Sequence, residues 1–125
     1  MDMHVFGSRE AEVAVTSHGA ELRALRLGGH ELLWDAGALW PKCAPLLFPI
    51  VGGLKADTLR LGDATHRLPK HGFARDLPFA WVARGTDACA LELRDDDHTR
   101  AAYPFAFHLQ VRYALKDGAL RMDLV

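Results

Sequence analysis

At 125 residues the chain is one domain or part of one. Half of its residues are apolar and a quarter charged, an ordinary globular balance that excludes a disordered polymer. The formal charge is −1, with no basic run or acidic tail, so neither nucleic acid nor an anionic membrane is an expected partner.

Met1-Asp2-Met3-His4 lacks the basic start and apolar core of a secretory leader. The longest apolar stretch, residues 44–53, carries two prolines and is about half the length of a bilayer-spanning helix. A cytoplasmic location is expected. Cys43 and Cys89 belong to no CxxC pair, so two reduced thiols, at least one buried, are expected rather than a disulfide. Seven histidines are present, but their spacing makes no metal site. His66 and His71 lie across a turn with no third ligand close by, and neither metal nor cofactor is expected.

In chain order, residues 12–16 and 20–27 read as strands around the Ser17-His18-Gly19 corner, and Leu27-Gly28-Gly29-His30-Glu31-Leu32 as a tight reversal. Residues 35–39 suggest a turn before Trp40-Pro41. Further strands are predicted at 58–61, 65–68, 79–84 and 89–94, separated by Gly62-Asp63 and Gly85-Thr86-Asp87. One short helical turn is expected over 97–103, ended by Pro104, because proline disfavours a helical conformation in the residue before it. Phe105, Phe107, Leu109, Val111, Tyr113 and Leu115 alternate with smaller or polar residues. This predicts one long strand with a buried face. Lys116-Asp117-Gly118 turns it into a last strand carrying Leu120, Met122 and Leu124. Trp34 and Trp81 read as core or sheet-face residues.

Many short strands with glycine turns at intervals of roughly ten residues predict an all-β sandwich or barrel with little helix. The final strand is apolar, alternating and without a polar tail. It wants a neighbour on its other edge, which suggests the N-terminal portion of a longer protein.

The chemistry-bearing stretch is His71-Gly72-Phe73-Ala74-Arg75-Asp76, following Leu68-Pro69-Lys70. It places an imidazole, a hinge glycine and a guanidinium within five residues. With the Ser17-His18-Gly19-Ala20-Glu21-Leu22 corner, Leu33-Trp34-Asp35, the 44–53 run and Tyr103-Pro104-Phe105-Ala106-Phe107, it resembles the aldose 1-epimerase (galactose mutarotase-like) family, in the branch with the HGFAR motif. The resemblance spans nearly the whole chain. It implies a large, twisted antiparallel β-sandwich about twice as long as this chain, with a site for a sugar or sugar phosphate on one face.

By the same resemblance His71 is the catalytic-site histidine that hydrogen-bonds the sugar near its ring oxygen. The family's general base, a late glutamate, and its second histidine would lie beyond Val125. The bland reading of His71 is a histidine whose ring caps a turn. Arg75 can donate two parallel hydrogen bonds to vicinal hydroxyls or a phosphate, or be held in a salt bridge to Asp76 or Asp57. Asp76 reads as orienting Arg75 rather than as a base, and Lys70 as a solvated flank. Many relatives carry arginine where this chain has Gly53. Arg60 is a candidate substitute, and Trp40 a candidate for stacking on the sugar's apolar face. His66, His98 and His108 have no motif support.

The leading expectation is therefore an anomer-interconverting isomerase working by acid–base ring opening, with residues 1–125 as part of its domain. A non-catalytic carbohydrate-binding sandwich is the alternative. A sandwich with no sugar ligand fits the composition but leaves the His71–Arg75 cluster unexplained.

Overall fold

The computed structural model describes residues 2–125. Strands β1 (Met3–Gly7), β2 (Ala11–Thr16), β3 (Leu22–Leu27) and β4 (His30–Glu31) form an antiparallel meander in that order. Strands β5 (Thr58–Leu61) and β6 (Ala64–Arg67) make a separate hairpin. A second meander joins β7 (Ala80–Arg84), β8 (Ala88–Arg94), β9 (His108–Lys116) and β10 (Ala119–Leu124), with helix α1 (Asp97–Ala102) between β8 and β9. The turn chemistry explains the reversals. Gly28 and Gly29 both take positive φ between β3 and β4, and Asp117 and Gly118 do so between β9 and β10. Two-residue turns of that conformation match the twist of the strands they join.

The four-stranded sheets pack face to face over one core. Phe6, Val13 and Val15 come from the first, and Cys89, Leu91, Leu93, Leu109, Val111 and Tyr113 from the second. The Tyr113 hydroxyl crosses that core and donates to the Ala20 carbonyl at 2.7 Å. At one rim the Gly7 N–H donates to the Thr86 carbonyl (2.9 Å) and the Trp81 indole to Asp2 Oδ2 (2.6 Å), tying β1 to the β7–β8 hairpin. Helix α1 starts at a reciprocal cap, with Asp96 accepting from the Thr99 N–H and Thr99 from the Asp96 N–H.

Four sequence expectations change. Strand β1 carries no alternating signal, since only Phe6 is buried, and it exists because β2 and the β7–β8 turn pair with it. The alternating run at 105–115 is a strand only from His108. Before it, the Phe107 N–H donates to Asp95 Oδ1 (3.0 Å) and the Phe105 N–H to the Tyr103 carbonyl, so that Phe105 is exposed and Phe107 half-buried. Trp34 is also exposed, its indole donating to the Trp40 carbonyl at 2.7 Å. On β10, Met122 and Leu124 pair with Tyr113 and Val111, yet both are exposed because the core does not reach this edge of the sheet.

Both cysteines are free, Cys89 buried and Cys43 half-buried. Among the described residues no helix is long and apolar enough to cross a membrane.

Candidate functional site

The site is a junction between two loops, residues 44–53 and 68–76. Their backbones meet in a bridge between Phe48 and Gly72. The Phe48 carbonyl accepts from the Phe73 N–H (2.9 Å) and the Ala74 N–H (3.2 Å). A Cβ on Gly72 would stand 2.2 Å from that same oxygen, and Gly72 has φ +72°, so this position requires glycine. Beneath the bridge Phe48, Phe73 and Phe107 form an aromatic cluster with centroids 5.1–6.2 Å apart. The half-buried Phe107 thus joins the two loops to the edge of the inter-sheet core.

His71 closes the junction. Its N–H donates to the Gly52 carbonyl at 2.9 Å, and its Nδ1 accepts from the Gly52 N–H at 2.9 Å. An imidazole that accepts at Nδ1 carries its proton on Nε2, which forms no hydrogen bond among the described residues. One nitrogen therefore caps the loop, as the bland reading held, and the other is left as a free donor. The residue sits at φ +65°, a left-handed conformation costing a non-glycine residue roughly 1–2 kcal/mol. The two-bond clamp to Gly52 holds it there.

Arg75 lies in a 3-10 turn, Ala74–Asp76. Its guanidinium donates to the Lys70 carbonyl at 3.4 Å, and its Nε lies 3.8 Å from Asp76 Oδ2, buried and without a hydrogen-bond partner. Asp76 is also paired with Lys42 at 3.2 Å, while Asp57 pairs with Arg67. Asp76, not Asp57, is therefore the carboxylate next to Arg75. Lys70 is exposed, with its Cβ and Cγ 3.9 Å from where a Gly53 side chain would begin.

The other candidates are not drawn into this cluster by any bond. Trp40 is exposed in the irregular segment between β4 and β5, and among the described residues no ring or hydrogen bond links it to His71. Arg60 projects from β5, opposite Thr65, and forms no ion pair among the described residues. A cavity of about 330 Å³ borders the segment at Pro69 and Phe73, walled by Arg67, His98, Ala101 and Ala102, and is lined by neither His71 nor Arg75. No three His, Cys, Asp or Glu side chains converge as a metal-binding set among the described residues.

Sequence reasoning passed over Glu21. It is buried, and its carboxylate accepts from the N–H groups of Cys43 (2.5 Å) and Ala44 (3.0 Å) and from Arg23 (3.3 Å), fixing the start of the 44–53 loop. A lone acid between Ala20 and Leu22 was the available signal. Cys43 donates its thiol to the Trp34 carbonyl at 3.0 Å. Burial holds that thiol above its ordinary pKa, and nearby Glu21 adds to the effect against the opposing influence of Arg23.

A family model described as aldose 1-epimerase matches residues 3–124. The chain belongs to this family. Among solved aldose 1-epimerase-like structures it is similar to a galactose mutarotase related enzyme from Lactobacillus acidophilus, at 32% identity and a TM-score of 0.93. It is also similar to a galactose mutarotase-like protein from Lactobacillus casei, at 30% identity and a TM-score of 0.93. Each superposition covers 98% of this chain but only 42% and 43% of the respective relative. The chromosomal LacX protein of Lactococcus lactis is 29% identical over 112 residues, covering 84% of this chain and 38% of LacX. The chain thus spans less than half the length of the aldose 1-epimerase-like proteins it matches, and it has their antiparallel β architecture.

Proposed function

We propose that the protein is a carbohydrate isomerase of the cytoplasm that interconverts sugar anomers by acid–base ring opening, without a cofactor, and binds its sugar at His71. The observation that carries this reading is the clamp between His71 and Gly52. It spends Nδ1 on the loop and leaves the Nε2 proton available, with the Arg75 guanidinium held one peptide away.

Mutarotation requires a base to take the proton from the C1 hydroxyl and an acid to protonate the ring oxygen. The ring opens to the aldehyde, C1 rotates about the C1–C2 bond, and closure gives the other anomer. In this scheme the Nε2–H of His71 donates to the sugar near its ring oxygen, while Arg75 binds hydroxyls. His71 cannot also act as the base at C1. Asp76, the carboxylate next to Arg75, is engaged by Lys42 and Arg75. By family resemblance the base is a glutamate, partnered by a second histidine, and neither role is assigned within these residues. Each positioned acid or base is worth about 10²–10⁴-fold in rate.

Residues 1–125 assayed alone should therefore show negligible mutarotation, whereas a chain that also carries the glutamate and second histidine should be active. Polarimetry on a freshly dissolved α-anomer is the test. Interconversion by these 125 residues well above the buffer rate, lost on His71→Ala, would show that the catalytic set is complete here. The engagement of Asp76 also favours a second reading, in which these residues bind a sugar without transforming it. NMR titration with sugars would show such binding in the absence of turnover.

A further inference from the structure

We infer that Glu21 is a positioning residue for the His71 site, acting through the backbone of the 44–53 loop. The inference deepens the proposed function and rests on its reading of His71 as the sugar contact. Glu21 lies just ahead of β3 and is buried. Its Oε2 accepts from the Cys43 N–H (2.5 Å), the Ala44 N–H (3.0 Å) and the Arg23 guanidinium (3.3 Å). Arg23 in turn donates to the Pro41 carbonyl at 3.5 Å. Residues 41–44 belong to no strand, so their amides have no ladder to meet. An amide withdrawn from water without a partner is costly, and a carboxylate gives it a charge-assisted bond. A buried carboxylate is itself costly unless donors and a cation surround it, and the two amides and Arg23 meet that need. All of these bonds end on one short stretch of backbone, so what they fix is the position of that stretch.

The site depends on that stretch. Only residues 45–47 separate it from Phe48, and Leu46 among them is buried. Phe48 is bridged to Gly72, and Gly52 is bonded to both the N–H and the ring of His71. The corner that carries Glu21 grips the other loop as well. The Gly19 N–H donates to the Leu77 carbonyl at 2.7 Å, and the Phe79 N–H to the Ser17 carbonyl at 2.8 Å. A Cβ on Gly19 would stand 2.7 Å from the Arg75 carbonyl oxygen, so the corner lies directly against the Arg75 backbone. Contacts therefore run in a closed circuit. They pass from the corner to Ala44, along the loop to Phe48 and Gly52, across to Gly72 and His71, on to Arg75, and back to Gly19. Removing the Glu21 carboxylate opens this circuit at Ala44 and lets the 44–53 loop move against the 68–76 segment. The Gly52 N–H then loses its fixed direction toward Nδ1, and the ring loses what holds its proton on Nε2.

The test is NMR on the nitrogen-labelled full chain. With the ring neutral, long-range proton–nitrogen spectra separate the Nε2–H form of His71 from the Nδ1–H form. The native protein should show the Nε2–H form alone. Glu21→Ala should populate both forms and weaken the binding of glucose or galactose about three- to tenfold, the share of one well-placed hydrogen bond. Glu21→Gln keeps an acceptor oxygen at the same reach and should restore most of both readings. Glu21→Asp keeps the charge but not the reach and should behave as the alanine variant does, which decides the question if the alanine variant fails to fold. Val111→Ala opens a void in the inter-sheet core and lowers stability by another route, so it should leave the His71 ring in its native form. A folded Glu21→Ala or Glu21→Asp protein with the native ring and native sugar affinity would overturn the inference. A glutamine variant no better than the aspartate one would do the same. So would the mixed ring in Val111→Ala, because the change would then follow stability rather than the loop. Sugar binding that is lost on His71→Ala while the ring stays indifferent to Glu21 would sink this inference alone and leave the sugar reading standing. Failure of the native chain to bind either sugar would remove the sugar reading and the positioning role with it.

Discussion

His71 serves the fold and the site with a single ring, and the two contributions can be separated by substitution. Ala removes the Nδ1 acceptor and keeps a Cβ at φ +65°, whereas Gly removes the acceptor but relaxes the backbone. His71→Gly should therefore be the more stable variant by about 1 kcal/mol, although neither should bind sugar. Urea midpoints read the first expectation and NMR titration the second. An alanine variant at least as stable as the glycine one would mean that the left-handed conformation is lost once the ring is gone. The motif that marks this residue is legible in sequence because histidine, glycine and arginine stand within five positions. The clamp is not, since its partner Gly52 lies nineteen residues upstream.

At the scale of elements, β9 shows where alternation holds and where it fails. Leu109, Val111 and Tyr113 face the core as the period-2 pattern requires; all three lie within the ladder to β8, and Val111 and Tyr113 pair with β10 as well. Phe105 belongs to the same pattern but precedes the ladder and is 45% exposed. Leu109→Ala should cost about 2–5 kcal/mol, and Phe105→Ala less than about 1 kcal/mol. Chemical denaturation of the two variants checks this. Equal losses would show that Phe105 is covered in solution by something outside residues 2–125. The β5–β6 hairpin and helix α1 were both readable, because a turn pair in one and a proline stop in the other are local signals. Strand β1 was not, because it draws its order from neighbours.

For the molecule as a whole, the space between the sheets holds two protonated groups that resist ionisation. Burial pushes the Cys89 thiol from 9.0 up to about 11. It also raises Tyr113 well above the ordinary tyrosine range, with Cys89 and Glu21 adding to the effect. A folded-state pKa above the unfolded one means that the unfolded chain releases the proton first. The stability tied to Cys89 is therefore fully present below about pH 9 and is lost as pH rises toward 11. The urea midpoint should fall across that window, and Cys89→Ala should flatten the part due to the thiol. A midpoint with the same pH dependence in both proteins would show that the thiol does not contribute.

The sequence by itself determined the all-β class, most strand positions, the hairpin turns and the family motif. These depend on spacing within a few residues, where backbone periodicity and glycine conformation act directly. Tertiary structure alone decided how far the core extends over β10, why Phe105 lies outside it, and that Glu21 anchors the loop at Cys43 and Ala44. It also decided which nitrogen of His71 remains free. Each of these turns on a contact between segments far apart in the chain, and such contacts leave no local period to read.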